Sequence, residues 1–192
     1  MNDLLVLALL LEGPQHGYAL KKGAATIFGS RDMHNNLVYP LLRRFVQQKW
    51  VTVKKSKGER GQTRQVYSIT PTGREALTNR LREFSDADAE SSEQFSLRVG
   101  LFDILEPNDR LAILERRKAY LERHRAQLEL ISARMEVTGF AGQVVAYLST
   151  AAQTELTWIE KLKKIGTRTR AAHKQKNRSN QWRSTNRSTP GR

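Results

Sequence analysis

Arg43, Arg44, Lys54, Lys55, Lys57, Arg60 and Arg64, with Lys49 between them, gather eight cations within 22 positions, against the single acid Glu59. Cations at that density hold phosphate, because a guanidinium forks onto two anionic oxygens and an ammonium serves as a point charge. The chemistry implied is non-covalent capture of a polyanion. Asn36 and Tyr39 stand just ahead of the cluster and add side chains able to hydrogen-bond to base edges or phosphates. Bond-making chemistry finds no such gathering. His16, His34, His124 and His173 are scattered, with no spacing that brings two of them to an acid, so neither a metal site nor an activated nucleophile is expected. The absence of cysteine excludes disulfides and thiolate ligands and fits a reducing, cytoplasmic setting. No catalytic residue, metal or cofactor is therefore expected.

The elements that must position these groups are legible from pattern. Leu37, Leu41, Leu42, Phe45 and Val46 fall at helical spacing, with Arg43, Arg44, Gln47, Gln48 and Lys49 filling the remaining positions. Pro40 belongs in a first helical turn, which predicts that this helix starts no earlier than Asn36, its N-cap. After Trp50, Val51-Thr52-Val53 and Arg64 to Ile69 read as strands, flanking a tip from Lys54 to Gly61 rich in cations and glycine. Upstream, Leu4 to Leu11 predicts a buried helix capped by Asn2 or Asp3 and stopped at Glu12-Gly13-Pro14. That run has no basic leader and is too short to span a bilayer. A second helix is expected from His16. Three short helices and a basic hairpin make the layout of a winged helix-turn-helix, with one helix in the DNA major groove and the ribbon along the backbone. Arg43 and Arg44, a turn further into the helix than Asn36, suit phosphate, and Lys54, Lys55, Lys57, Arg60 and Arg64 would track the backbone.

Charge divides the chain. Residues 1–84 hold 14 Lys/Arg against 6 Asp/Glu, residues 85–165 hold 11 against 13, and residues 166–192 hold 8 against none, which sums to the net +14. A polyanion is thus met by parts of the chain, and nucleic acid fits better than a membrane, since the tail lacks an apolar stripe. The expected domains are a winged-helix domain at 1–84, a helical dimerisation domain at 93–165 and a disordered basic tail at 166–192, with Ser85 to Ser92 as the boundary. The fold class is mainly α. In the second domain Leu114, Leu121, Leu128 and Met135 recur every seven residues, a narrow seam that predicts a partner helix, although Arg117 and His124 interrupt its alternate layer.

Leu4 to Leu11, Glu12-Gly13-Pro14, His16-Gly17-Tyr18, Tyr39-Pro40-Leu41-Leu42-Arg43-Arg44 and Tyr67 to Leu77 together resemble the PadR family of transcriptional regulators, in the family's order over about the first half of the chain. The resemblance implies a homodimer that binds double-stranded operator DNA, an inverted repeat, through its winged domain and dimerises through C-terminal helices. Asn35-Asn36-Leu37-Val38 and Gln62-Thr63 depart from the family pattern, so operator identity is not implied. Because relatives bind planar effectors, Phe140, Tyr147 and Trp158 are candidates for lining a pocket for a small aromatic effector; core packing is the plainer reading of aromatics so spaced. Two alternatives stand beside this one: a sequence-indifferent, nucleoid-type binder using tail and ribbon, and an interaction module without DNA binding.

Overall fold

The computed structural model describes residues 2–28, 35–57, 63–135 and 137–185; the side chains of residues 21, 24–28, 35–37, 57, 63, 135 and 166–185 lie outside that description. The chain forms two compact units, Met1–Leu105 and Glu106–Arg192.

In the first unit, α1 (Asn2–Leu9) continues as a 3-10 turn over Leu10–Glu12, and Gly13 at φ 137° ends it. Leu4, Leu5, Val6, Leu7 and Leu10 are all buried, as an apolar stretch without a polar face requires. There follow β1 (Gln15–His16), α2 (Gly17–Phe28), α3 (Asn35–Gln47), β2 (Val51–Lys57), β3 (Thr63–Ile69) and α4 (Pro71–Arg82). The strands form one antiparallel sheet in the order β1-β3-β2, so the hairpin has a third strand that its own sequence does not announce. Two residues are too few for an alternation to register. Helix α3 starts at Asn35, one residue before the expected limit, and Pro40 lies inside it and not in its first turn. Only one backbone hydrogen bond is forfeited there.

Two close approaches lock the sheet to its helices. Lys49 takes a left-handed conformation (φ 59°) after α3, while Trp50 N–H returns to the Phe45 carbonyl at 2.9 Å. The Thr70 hydroxyl donates to the Lys49 carbonyl (2.7 Å) and accepts from Gly73 N–H (3.0 Å), capping α4 with Pro71 in its first turn. Gly73 is obligatory: a Cβ there would lie 2.0 Å from the Trp50 carbonyl oxygen.

Residues 85–105, read from sequence as a linker and the start of the second domain, belong with the winged unit. They form α5 (Asp86–Glu90), opened by a capping box between Ser85 and Asp88, and α6 (Ser92–Val99), followed by a 3-10 turn at Phe102–Ile104. The attachment is Arg98, only 3% exposed. Its guanidinium donates to the Leu81 carbonyl at 3.3 Å and the Glu83 carbonyl at 2.9 Å, at the open end of α4, and lies 4.8 Å from the Phe84 ring centre. Burial lowers its pKa from the ordinary arginine value, and Asp88 at 3.3 Å opposes that shift.

The second unit is a hairpin of α7 (Pro107–Met135) and α8 (Gly139–Thr185), turned at Gly139 with φ 62°. The seam of Leu114, Leu121 and Leu128 does find a partner helix, but it is α8 of the same chain: these leucines are 3–7% exposed in the single subunit, facing Ala152 and Ile159. This corrects their assignment to a dimer interface; Met135, the fourth member, lies outside the described side chains. The polar break in the seam has its own answer, since Arg117 is buried and forks onto both carboxylate oxygens of Glu155 at 2.7 and 2.8 Å. Of the tail expected to be disordered, residues 166–185 instead continue helix α8, and residues 186–192 lie outside the described residues. Among the described residues no helix is long and apolar enough to cross a membrane.

Candidate nucleic-acid interface

Helix α3 buries Val38, Leu42 and Phe45 and leaves Tyr39, Pro40, Arg43 and Arg44 exposed. Tyr39 and Arg43, four residues apart, share one flank. The Tyr39 ring rests on Gly17, the first residue of α2: a Cβ there would come within 2.8 Å of Cε1. The glycine of the His16-Gly17-Tyr18 string thus seats a recognition-helix side chain. Beside that flank stands Tyr67 of β3, buried, whose phenol donates to Gln65 Oε1 at 2.6 Å. Burial raises the Tyr67 pKa, Tyr39 adds to the rise, and Arg43 opposes it, so the phenol stays a donor at neutral pH. The Gln65 carbonyl also accepts from His16 Nδ1 at 3.3 Å, tying β1 to the ribbon.

The ribbon's register sorts its cations. Val51 pairs with Ile69, Val53 with Tyr67 and Lys55 with Gln65, while Thr52 pairs with Ser68, Lys54 with Val66 and Ser56 with Arg64. Side chains alternate faces along a strand, so Lys54 and Arg64 share the face away from Tyr67, and Lys55 shares the other with Gln65. Lys54, Lys55 and Arg64 are exposed. Lys57 and Asn36 lie outside the described side chains, and Arg60 outside the described residues.

Arg44 differs from expectation. It is engaged by the carboxylate of Asp3 in α1, which also accepts from Arg80 of α4 at 2.8 Å. Asp3 is therefore no mere helix cap. Nothing in the sequence pairs residues so far apart, and the contact exists only because the fold brings Asp3 of α1 to Arg44 of α3 and Arg80 of α4.

The aromatics Phe140, Tyr147 and Trp158 all lie on α8, 93%, 71% and 37% exposed. A described cavity of about 300 Å³ occurs instead in the first unit, where Leu5, Ala8 and Leu9 of α1 meet Leu97 of α6 and Leu101, with Glu12 and Ser96 at its edge. Among the described residues no group of three or more His, Asp or Glu could hold a metal ion.

A three-helix core, a β-hairpin wing and a cationic recognition helix define the winged helix-turn-helix class. Residues 6–79 match the model of the transcriptional regulator PadR-like family. The chain is similar to a Thermoplasma acidophilum protein assigned as a transcriptional regulator, with 31% identity over 41% of this chain and 74% of that one and a TM-score of 0.39. A PadR family regulator from Eggerthella lenta is 30% identical over 39% of this chain and 66% of that one, with a TM-score of 0.34. Bacillus subtilis PadR, solved with operator DNA, is 14% identical over 85% of this chain and 98% of that one, with a TM-score of 0.43. The search of curated proteins finds no match. Over residues 6–79 this chain has the sequence of a PadR-like transcriptional regulator.

Proposed function

We propose that the protein binds double-stranded operator DNA as a homodimer, with Tyr39 and Arg43 on α3 entering the major groove and Lys54, Lys55 and Arg64 following phosphates along the ribbon. The observation that carries this reading is the exposed Tyr39–Arg43 flank, seated on Gly17 and set beside Tyr67 of the wing. Rigid placement is what lets a side chain discriminate bases, whereas loose cations recognise phosphate alone. The test is a comparison of affinity for the DNA upstream of the protein's own gene and for random DNA at stated salt. A regulator should separate them by roughly three orders of magnitude or more, and a sequence-indifferent binder should not. Arg43→Ala should lower the preferred affinity by about 1–3 kcal/mol.

The dimer is supported by α8. Phe140, Val144, Tyr147, Ala151, Thr154, Trp158, Lys161 and Ile165 recur at alternating steps of four and three, the spacing of a coiled-coil seam, and Phe140, Val144, Tyr147 and Ile165 are at least 56% exposed. A second copy of the same stripe would bury it, and a two-fold dimer implies an inverted-repeat operator. An effector reading is better supported by the α1–α6 cavity than by the exposed aromatics of α8. A planar aromatic compound acting there should change operator affinity in wild type and in Trp158→Phe, and lose its effect in Ala8→Trp, which fills the cavity.

A further inference from the structure

Asp3 is the least exposed member of a three-residue charge cluster: its side chain is 19% exposed, against 45% for Arg44 and 36% for Arg80. Both guanidiniums also lie against rings, Arg44 at 5.5 Å from the Phe45 centre and Arg80 at 5.1 Å from the Trp50 centre. One carboxylate therefore ties the recognition helix and α4 to the first turn of α1, where a negative charge is further favoured by the unpaired N–H groups of the helix start. A partly buried pair is screened less by salt than an exposed contact to phosphate, so the tie outlasts such contacts as ionic strength rises. Arg43, one position earlier, faces the wing instead and contributes to the environment of Tyr67.

We propose that Asp3 is a positioning residue for DNA binding: it holds Arg44 against α1 and out of the phosphate track. The recognition helix then presents Tyr39 and Arg43 to DNA, while Arg44 fixes the angle of α3 and adds no counterion release of its own. A phosphate reaching Arg44 would have to displace Asp3 and leave its carboxylate to Arg80 alone. This inference rests on the DNA-binding reading above.

The experiment measures affinity for a random-sequence duplex across a salt series for wild type, Asp3→Asn, Arg44→Gln and the double variant, with far-UV circular dichroism on each. Asp3→Asn frees Arg44, so the slope of log affinity against log salt should steepen by about one, with low-salt affinity rising by roughly tenfold. Arg44→Gln alone should leave the wild-type slope unchanged, and the double variant should return to it. A slope that flattens by about one in Arg44→Gln shows Arg44 already on phosphate and overturns the proposal; that arm stands even if Asp3→Asn fails to fold. An unchanged slope in a folded Asp3→Asn, or a steep slope persisting in the double variant, which would mark Arg80 as the freed cation, overturns it too. A wild type without any salt-dependent binding would instead remove the DNA-binding reading beneath it.

Discussion

Single residues in the winged unit matter most where backbones touch. Gly73 sits in an ordinary helical turn, and its constraint comes wholly from the Trp50 carbonyl across the gap. Gly73→Ala is expected to cost about 2–4 kcal/mol, because the obstacle is main chain and cannot rotate away. Urea unfolding should show a lower midpoint at an unchanged slope, and a loss below about 1 kcal/mol, the ordinary cost of a surface change, would mean that α4 shifts freely. At Gly17 the neighbour is instead a ring, so Ala there should displace Tyr39 and weaken operator binding more than stability. The residue types of the cationic cluster were legible in the sequence because charge density needs no partner to be seen. Arg44 was not, since its role depends on Asp3, 41 positions away.

Elements carry a second kind of lesson. Helices α1 to α3 and the hairpin were readable from period and from their stops, whereas α5 falls within the stretch read as the domain boundary. What attaches an element is less visible. Arg98 reads as a solvated cation on a short helix, yet it satisfies two carbonyls at the end of α4 and meets Asp88. Arg98→Met keeps the length and removes the donors, leaving acceptors buried, and should destabilise the first unit by about 3 kcal/mol. Hydrogen exchange should then quicken in α5 and α6 before the wing. Uniform quickening throughout the unit would show that Arg98 holds the whole core and not this attachment.

For the whole molecule, the proposed dimer turns on which face a second copy would cover. Leu121 and Leu128 are spent inside the α7–α8 hairpin, so Leu121→Glu should unfold that hairpin rather than release folded subunits. Val144→Glu with Tyr147→Glu lies on the open stripe of α8. Light scattering should find monomers with undiminished helical dichroism, and operator affinity should fall with the lost second half-site. Dimers that survive this pair of substitutions would move the interface to another surface.

The sequence by itself determined the class of fold, the recognition helix and ribbon and the family resemblance, because these rest on local periodicity, turn residues and charge that neighbouring positions share. Tertiary structure alone decided that residues 85–105 join the winged unit, that the leucine seam of α7 is satisfied by α8, and that Arg44 answers to Asp3. The heptad pattern states that a helix wants a partner but carries no mark of whose helix it will be. A salt bridge between distant positions leaves no period at all, since it exists only once packing has brought the start of α1 to Arg44 and Arg80.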